Sequence, residues 1–296
     1  MHRHRIMSHL ALFFFSYLGY IECVGYSSYF ALASDFHSPR TDALGGAGHA
    51  APLLSDAIYL NPSFGSFAQV HSLSFNYLTF GGGTINTPQG PTDFYGHNIN
   101  VSMLDGTAEN LFQAGVGYTR REDVTLIHIG TSKSIVDKYG VGLGGKIILP
   151  NDFSGTRYAD ATFSVSGIIT DWIQSSLIID NIWETLPAQG FYREVILATR
   201  FNVMKILMLY FDPHWTPSLA SPYGYEAGIE FPFMSDLFLR GGMFKNSTIP
   251  YQAQKGDGYG VGFGWLAPKL SLDYSYSRVL IPIASYSHNV GATLFF

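Results

Sequence analysis

From Gly258 to its C-terminus the chain alternates large apolar residues with glycine, serine or charge at every second position. Tyr259, Val261, Phe263 and Trp265 are spaced by Gly260, Gly262 and Gly264. Leu270, Leu272, Tyr274 and Tyr276 alternate with Ser271, Asp273, Ser275 and Ser277. Tyr286, Val290, Ala292, Leu294 and Phe296 share one face of the last stretch. Period two means strand, because successive side chains point to opposite faces. Segments of about ten residues that repeat this alternation between turns are the pattern of a transmembrane β-barrel, greasy outside and small or polar inside.

Composition decides between lipid and a soluble core. Charged residues make up 13% of the chain, against about 25% in soluble domains. Aromatics reach 16%, with 23 Phe and 19 Tyr. After the N-terminal region no run of about twenty apolar residues occurs, so no helix spans a bilayer. Apolar residues in so uncharged a chain are therefore expected to face lipid from strands. The formal charge of −5 argues against nucleic acid as a partner.

Residues 1–33 read as a cleaved signal peptide. His2, Arg3, His4 and Arg5 are basic, Leu10 to Tyr20 is apolar, and Ala31-Leu32-Ala33 offers a small-x-small cleavage site. This predicts export to a bacterial outer membrane. Cys23, the only cysteine, falls in the leader, which leaves neither a disulfide framework nor a thiol metal site.

Residues 34–67 do not alternate. They contain Gly45-Gly46-Ala47-Gly48 and close on Asn61-Pro62, a turn signal. They are expected to form a plug inside the barrel, with residues 68–296 as its wall. Turn signals divide the wall into about fourteen strands, an even number as bacterial barrels require. Connection lengths suggest long outer loops at odd positions, Gly81 to Asp93 being the longest, and short even turns such as Ala267-Pro268. Phe75, Tyr77, Val101, Leu143, Phe163 and Ile229 are expected to face lipid. Ser74, Asn76, Asn100, Thr162 and Ser164 are expected inside. Trp172 to Ile182 and Lys205 to Phe211 are apolar on both faces, as a wall packed on a plug would be. Trp172, Trp183 and Trp215, near strand ends, suit an interfacial aromatic belt.

The stretch Thr41 to Ser63 resembles the N-terminal signature of FadL-type transport proteins and PorV-type barrels. The matching residues are Gly45-Gly46-Ala47, Asp56-Ala57, Tyr59 and Asn61-Pro62; Ser63 stands where the signature has alanine. Leu239 to Gly242, Gly260 to Gly264, Leu272 to Tyr276 and His288 to Phe296 resemble the shorter PorV-like branch. The resemblance implies a fourteen-strand barrel with an N-terminal plug. It also implies a terminal signal at Leu294 and Phe296 for the barrel assembly machinery. For function it implies passage of hydrophobic small molecules such as long-chain fatty acids, or a PorV-like role in protein secretion or surface attachment with secretion partners; a purely structural outer-membrane barrel is the third reading.

No nucleophile motif appears, and His128, His214 and His288 have no metal-ligand spacing. Ser287 and His288 are adjacent on a strand, so they face opposite sides and cannot form a dyad. The expectation is a monomeric non-enzyme in outer-membrane lipid, without cofactor or metal. Arg157, Asp160, Glu226, Glu230, Arg240 and Asp273 are the expected lumen charges, either gating the lumen or merely pairing there. The residues Gly45, Gly46, Ala47, Asp56, Tyr59, Asn61 and Pro62 are the expected plug motif.

Overall fold

The computed structural model describes residues 36–87, 90–106, 112–121, 124–151, 156–187, 190–204, 206–252 and 254–296. The expected signal peptide lies outside them. The wall begins with β1 (His71–Thr87), β2 (Gly90–Asp105), β3 (Gln113–Arg120), β4 (Val124–Val136) and β5 (Tyr139–Pro150). It continues through β6 (Tyr158–Thr170), β7 (Ile173–Asp180), β8 (Glu194–Val203), β9 (Leu207–Trp215) and β10 (Tyr223–Pro232). It ends with β11 (Leu237–Thr248), β12 (Lys255–Ala267), β13 (Leu270–Ile281) and β14 (Ser285–Phe295). Each strand pairs antiparallel with its sequence neighbours, and β1 pairs with β14, so the fourteen strands close a barrel. Closure leaves no unpaired sheet edge, which hydrocarbon would not tolerate.

The alternation maps onto the two faces. Phe75, Leu143, Ile229, Val261 and Phe263 are exposed, while Ser74, Asn76, Asn100, Thr162, Ser164 and Ser275 are buried. Trp172, Trp183 and Trp215 are exposed at or just beyond strand ends. Val261 lies between Tyr259 and Trp265 on the outer face of β12. We expect Val261→Arg to destabilise the barrel by about 2–4 kcal/mol relative to Val261→Ala. Urea unfolding in lipid vesicles measures this, and a difference near zero would place this face away from hydrocarbon.

One expectation about the connections fails. Gly81 to Asp93 is not the longest loop, because β1 and β2 run on through it as a ribbon pairing Thr84 to Thr87 with Gly90 to Asp93. Gly82 and Gly83 have φ of +92° and +79° and sit at a register shift between Gly81 and Thr84. They form a bulge, which bends the strand without ending it. The connection after β11 packs inward. Ile249, Tyr251 and Gln252 are buried, folded back into the barrel mouth.

Residues 36–67 lie within the barrel. They comprise α1 (Pro39–Ala43), a 3-10 turn at Leu54–Asp56, α2 (Ala57–Leu60) and a 3-10 segment at Pro62–Phe67. Ile178, Ile196 and Ala198 of the wall pack on Ala50, and Tyr210 packs on Leu44 and Ala47. The stretches that read as apolar on both faces are thus where wall meets segment.

Candidate functional site

The inner segment is seated by shape first. Ser38 caps α1, its Oγ accepting the Thr41 N–H at 3.3 Å, and Pro39 opens the first turn. The helix ends at Leu44, and Gly45 turns the chain at a φ of +66°. A Cβ on Gly45 would stand 2.5 Å from the backbone nitrogen of Met243 on β11. Both conformation and contact therefore require glycine there.

Charge fixes the segment next. Arg40 donates from Nε to Glu230 Oε2 at 3.0 Å and from Nη2 to Glu230 Oε1 at 3.2 Å. It also donates to the Tyr210 hydroxyl at 2.6 Å and to the Ala51 carbonyl at 2.9 Å. Glu230 accepts from Arg240 Nε at 2.6 Å, and Arg240 in turn pairs with Asp273. Ser271 donates to Asp273 at 2.6 Å. All four charged residues are buried, so one carboxylate is shared by a segment guanidinium and a wall guanidinium. Such a pair has little net worth against an apolar replacement, but breaking it strands a buried charge.

A second anchor follows the Gly48 turn. Asp212 Oδ2 accepts the backbone N–H of Gly48 at 2.8 Å and of His49 at 2.9 Å. The His49 imidazole Nδ1 lies 3.0 Å from the same oxygen and 3.5 Å from Glu226 Oε2. Burial works against a charged imidazole, but the Asp212 hydrogen bond and the Glu226 and Asp212 carboxylates outweigh it and hold the His49 pKa up at about 9. Further along, Asn61 Nδ2 donates to the His49 carbonyl at 2.8 Å and to Ser166 Oγ at 2.9 Å. Ser63 Oγ donates to Asn61 Oδ1 at 2.6 Å, and its N–H to Ser164 Oγ at 2.8 Å. The serine that departs from the signature thus adds a hydroxyl to a wall lined with serine.

The structure brings most of the expected residues together. Gly45, Gly46, Ala47, Asp56, Tyr59, Asn61 and Pro62 are all buried inside the barrel. Tyr59 stacks on Phe36 at 4.0 Å and donates to the Val101 carbonyl at 3.1 Å. Glu230, Arg240 and Asp273 share the Arg40 network, and Glu226 faces His49. Asp160 sits apart, accepting the N–H groups of Trp183 and Thr185 in the β7–β8 loop. Arg157 is a correction. It is exposed and precedes β6, three positions from inward Asp160 and so on the other parity. Leu294 is exposed on the outer face, and Phe296 exchanges backbone hydrogen bonds with His71 at 3.1 Å. Arg40, His49, Tyr210 and Asp212 were missed. Two charged residues in a segment expected to be enclosed were the available signal, since enclosed charge needs a wall partner.

Asp56 adds a pH dependence. Burial pushes its carboxyl up to about 7 from 3.8, against the opposing pull of the Ser38 hydrogen bond and the Arg40 charge. A raised carboxyl pKa favours the folded state fully below the unfolded value and loses that contribution as pH rises through the folded one. Segment stability should therefore fall by a few kcal/mol between pH 4 and pH 8. Hydrogen exchange at residues 54–60, corrected for intrinsic rates, should show the loss in the wild type and a flat profile in Asp56→Asn. An equal slope in both would reject Asp56 as the cause.

Above the polar seat the inner wall becomes apolar toward the mouth. Leu78, Phe244 and Val279 pack under Ile249 and Tyr251, with Tyr251 stacked on Phe80 at 4.5 Å. Across the barrel, Val124, Leu126 and Ile148 pack under Leu186 and Phe191. A cavity of about 20 Å³ remains beside the segment, lined by residues including Phe36, His49, Tyr59, Glu194, His214 and Glu226. That is room for about one water-sized occupant.

An outward apolar band, a closed ring of strands and an interior filled by the chain's own N-terminal segment define an internally occluded membrane β-barrel. Solved structures share this architecture. The CymD monoaromatic hydrocarbon channel matches with a TM-score of 0.64 at 11% identity, covering 90% of this chain and 99% of that one. The Ralstonia pickettii toluene transporter TbuX gives 0.63 at 10% identity over 89% and 99%. A Pseudomonas aeruginosa FadL homologue gives 0.59 at 13% identity over 88% and 99%. No family model matches the chain, and no curated protein matches it. At such identities the likeness is one of fold, and that fold agrees with the fourteen-strand barrel that the N-terminal signature implied.

Proposed function

We propose that this protein is a monomeric, non-enzymatic channel of the bacterial outer membrane that passes small hydrophobic molecules, its residues 36–67 acting as the plug. The observation that carries this reading is the apolar mouth stacked above a polar, ion-paired seat. A water-filled pore has no use for Leu78, Phe244 and Val279 beneath a roof of Ile249 and Tyr251. A hydrophobic molecule that displaces the roof regains the same apolar contact area, at about 25 cal/mol per Å². It then rests against the plug until the seat shifts. The names of the structural neighbours support monoaromatic hydrocarbons as one ligand class, and long-chain fatty acids are the second.

Uptake decides the matter. Expression in a bacterium whose own hydrophobic channel has been deleted should raise initial uptake of labelled xylene, labelled oleate or both. Rates equal to the empty-vector strain for both compounds would overturn the proposal. One observation favours a PorV-like docking role instead: β1 and β2 run to 17 and 16 residues and continue past the last pairing of β1 with β14, at Gly81 and Tyr286. Deleting residues 84–93 should then abolish co-purification of a secretion partner, and neither labelled compound should be taken up above the empty-vector rate.

A further inference from the structure

We propose that His49, Asp212 and Glu226 form a binding site for a zinc-like divalent transition cation that staples the inner segment to the wall. The three residues each offer one ligand atom, and these atoms all lie within 4.8 Å of one another. They come from separate parts of the chain. His49 follows the Gly48 turn inside the barrel, and Asp212 and Glu226 are direct cross-strand partners on β9 and β10. Two carboxylates opposite each other on one face repel unless a cation stands between them, a place that the His49 imidazolium fills when no metal is bound.

Three observations point to room for an added ligand in place of the proton that now pairs His49 with the two carboxylates. Glu226 Oε2 is buried and accepts no hydrogen bond, although Glu226 Oε1 is taken by the Ser247 hydroxyl. The water-sized cavity is bordered by both His49 and Glu226. The spacings also suit a metal. With bonds of about 2.0–2.1 Å in tetrahedral geometry, ligand atoms stand roughly 3.3 Å apart. Here Nδ1 is 3.0 Å from Asp212 Oδ2 and 3.5 Å from Glu226 Oε2.

The donor set narrows the cation. One imidazole and two carboxylates suit zinc and its first-row neighbours, whereas calcium wants six to eight oxygens and magnesium an octahedral, water-rich shell. The metal takes the place of the proton on His49 Nδ1, which leaves to solvent. Two carboxylates and a dication then sum to zero charge in a buried site. The Gly48 and His49 N–H groups donate to Asp212 Oδ2 and the Thr199 N–H to Oδ1, which fixes the orientation of the carboxylate as outer-shell donors do. The fourth position opens on the cavity, where a water completes the tetrahedron.

The test uses the purified full-length protein in detergent, stripped with chelator and titrated with zinc against a chromophoric competitor. One equivalent should bind, and Glu226→Gln and His49→Gln should each weaken it by at least about tenfold, the scale on which even outer-shell losses act. X-ray absorption on the zinc-loaded wild type should show one imidazole nitrogen with oxygen ligands, which keeps the proposal testable if a variant fails to fold. Absence of stoichiometric binding would overturn it. So would binding undiminished in both variants, or a shell with two or more imidazoles, which would place the metal on other histidines. Binding is read independently of transport, so the site stands or falls apart from the proposed channel function.

Discussion

Gly242→Val is expected to unseat the plug. A Cβ at Gly242 would stand 2.0 Å from the Leu44 carbonyl oxygen, 2.1 Å from its carbon and 2.6 Å from the Gly45 nitrogen. All three are backbone atoms of the plug, so no side-chain rotation relieves the overlap. Gly242 is the centre of a glycine track that crosses three strands, flanked in register by Gly228 on β10 and Gly260 on β12. The end of α1 lies along this track, with Leu44 O 2.8 Å from the Cβ position of Gly228 and Asp42 O 2.0 Å from that of Gly260. Ordinary overpacking costs about 1–3 kcal/mol, and a clash against two backbones exceeds that range. Hydrogen exchange over residues 40–48 should lose its protection while the wall strands keep theirs. Gly241→Val is the control, because its Cβ would meet only Gly260 O at 4.0 Å, on the outer face. Retained protection in Gly242→Val, or equal loss in both variants, would reject the track as the docking surface.

Glu230→Ala is the second large effect expected. This carboxylate answers two buried guanidiniums, Arg40 of the plug and Arg240 of the wall. Arg240 keeps Asp273, but Arg40 is left with the Tyr210 hydroxyl and the Ala51 carbonyl, neither of them an anion. Removing one partner of a buried pair costs about 3–5 kcal/mol. The plug should open locally at that cost, measured by exchange of the Arg40 to Gly48 amides. The double variant Arg40→Met/Glu230→Ala removes both charges and should recover most of the loss. The cycle of single and double variants then isolates the pair. A cost below about 1 kcal/mol in Glu230→Ala would show that the network is solvated rather than enclosed.

The wall was legible because a bilayer enforces one rule at every position. Val261 and Gly262 differ in size because one meets hydrocarbon and the other meets the barrel interior. The same rule marked Glu226, Glu230, Arg240 and Asp273 as inward. At Arg157 it was the inward expectation that broke the rule, because an odd position three from inward Asp160 belongs to the other face, and the residue stands exposed ahead of β6. The rule itself failed at Gly82 and Gly83, because glycine serves a bulge and a turn equally well in sequence. Within the N-terminal segment the motif residues stood out as turn formers, yet their neighbours Arg40 and His49 carry the anchoring charges.

Strand number, outward face and the enclosure of residues 36–67 follow from the order of residues alone, since period and turn signals are local and lipid punishes every exception. Which inward charge meets which is another matter. Arg40 and Glu230 stand 190 positions apart, and His49 reaches Asp212 across 163. Only closure of the barrel around its own N-terminus brings them within hydrogen-bonding distance, because pairing across a lumen depends on strand register and on the depth to which the segment sinks, neither of which any short window of sequence encodes.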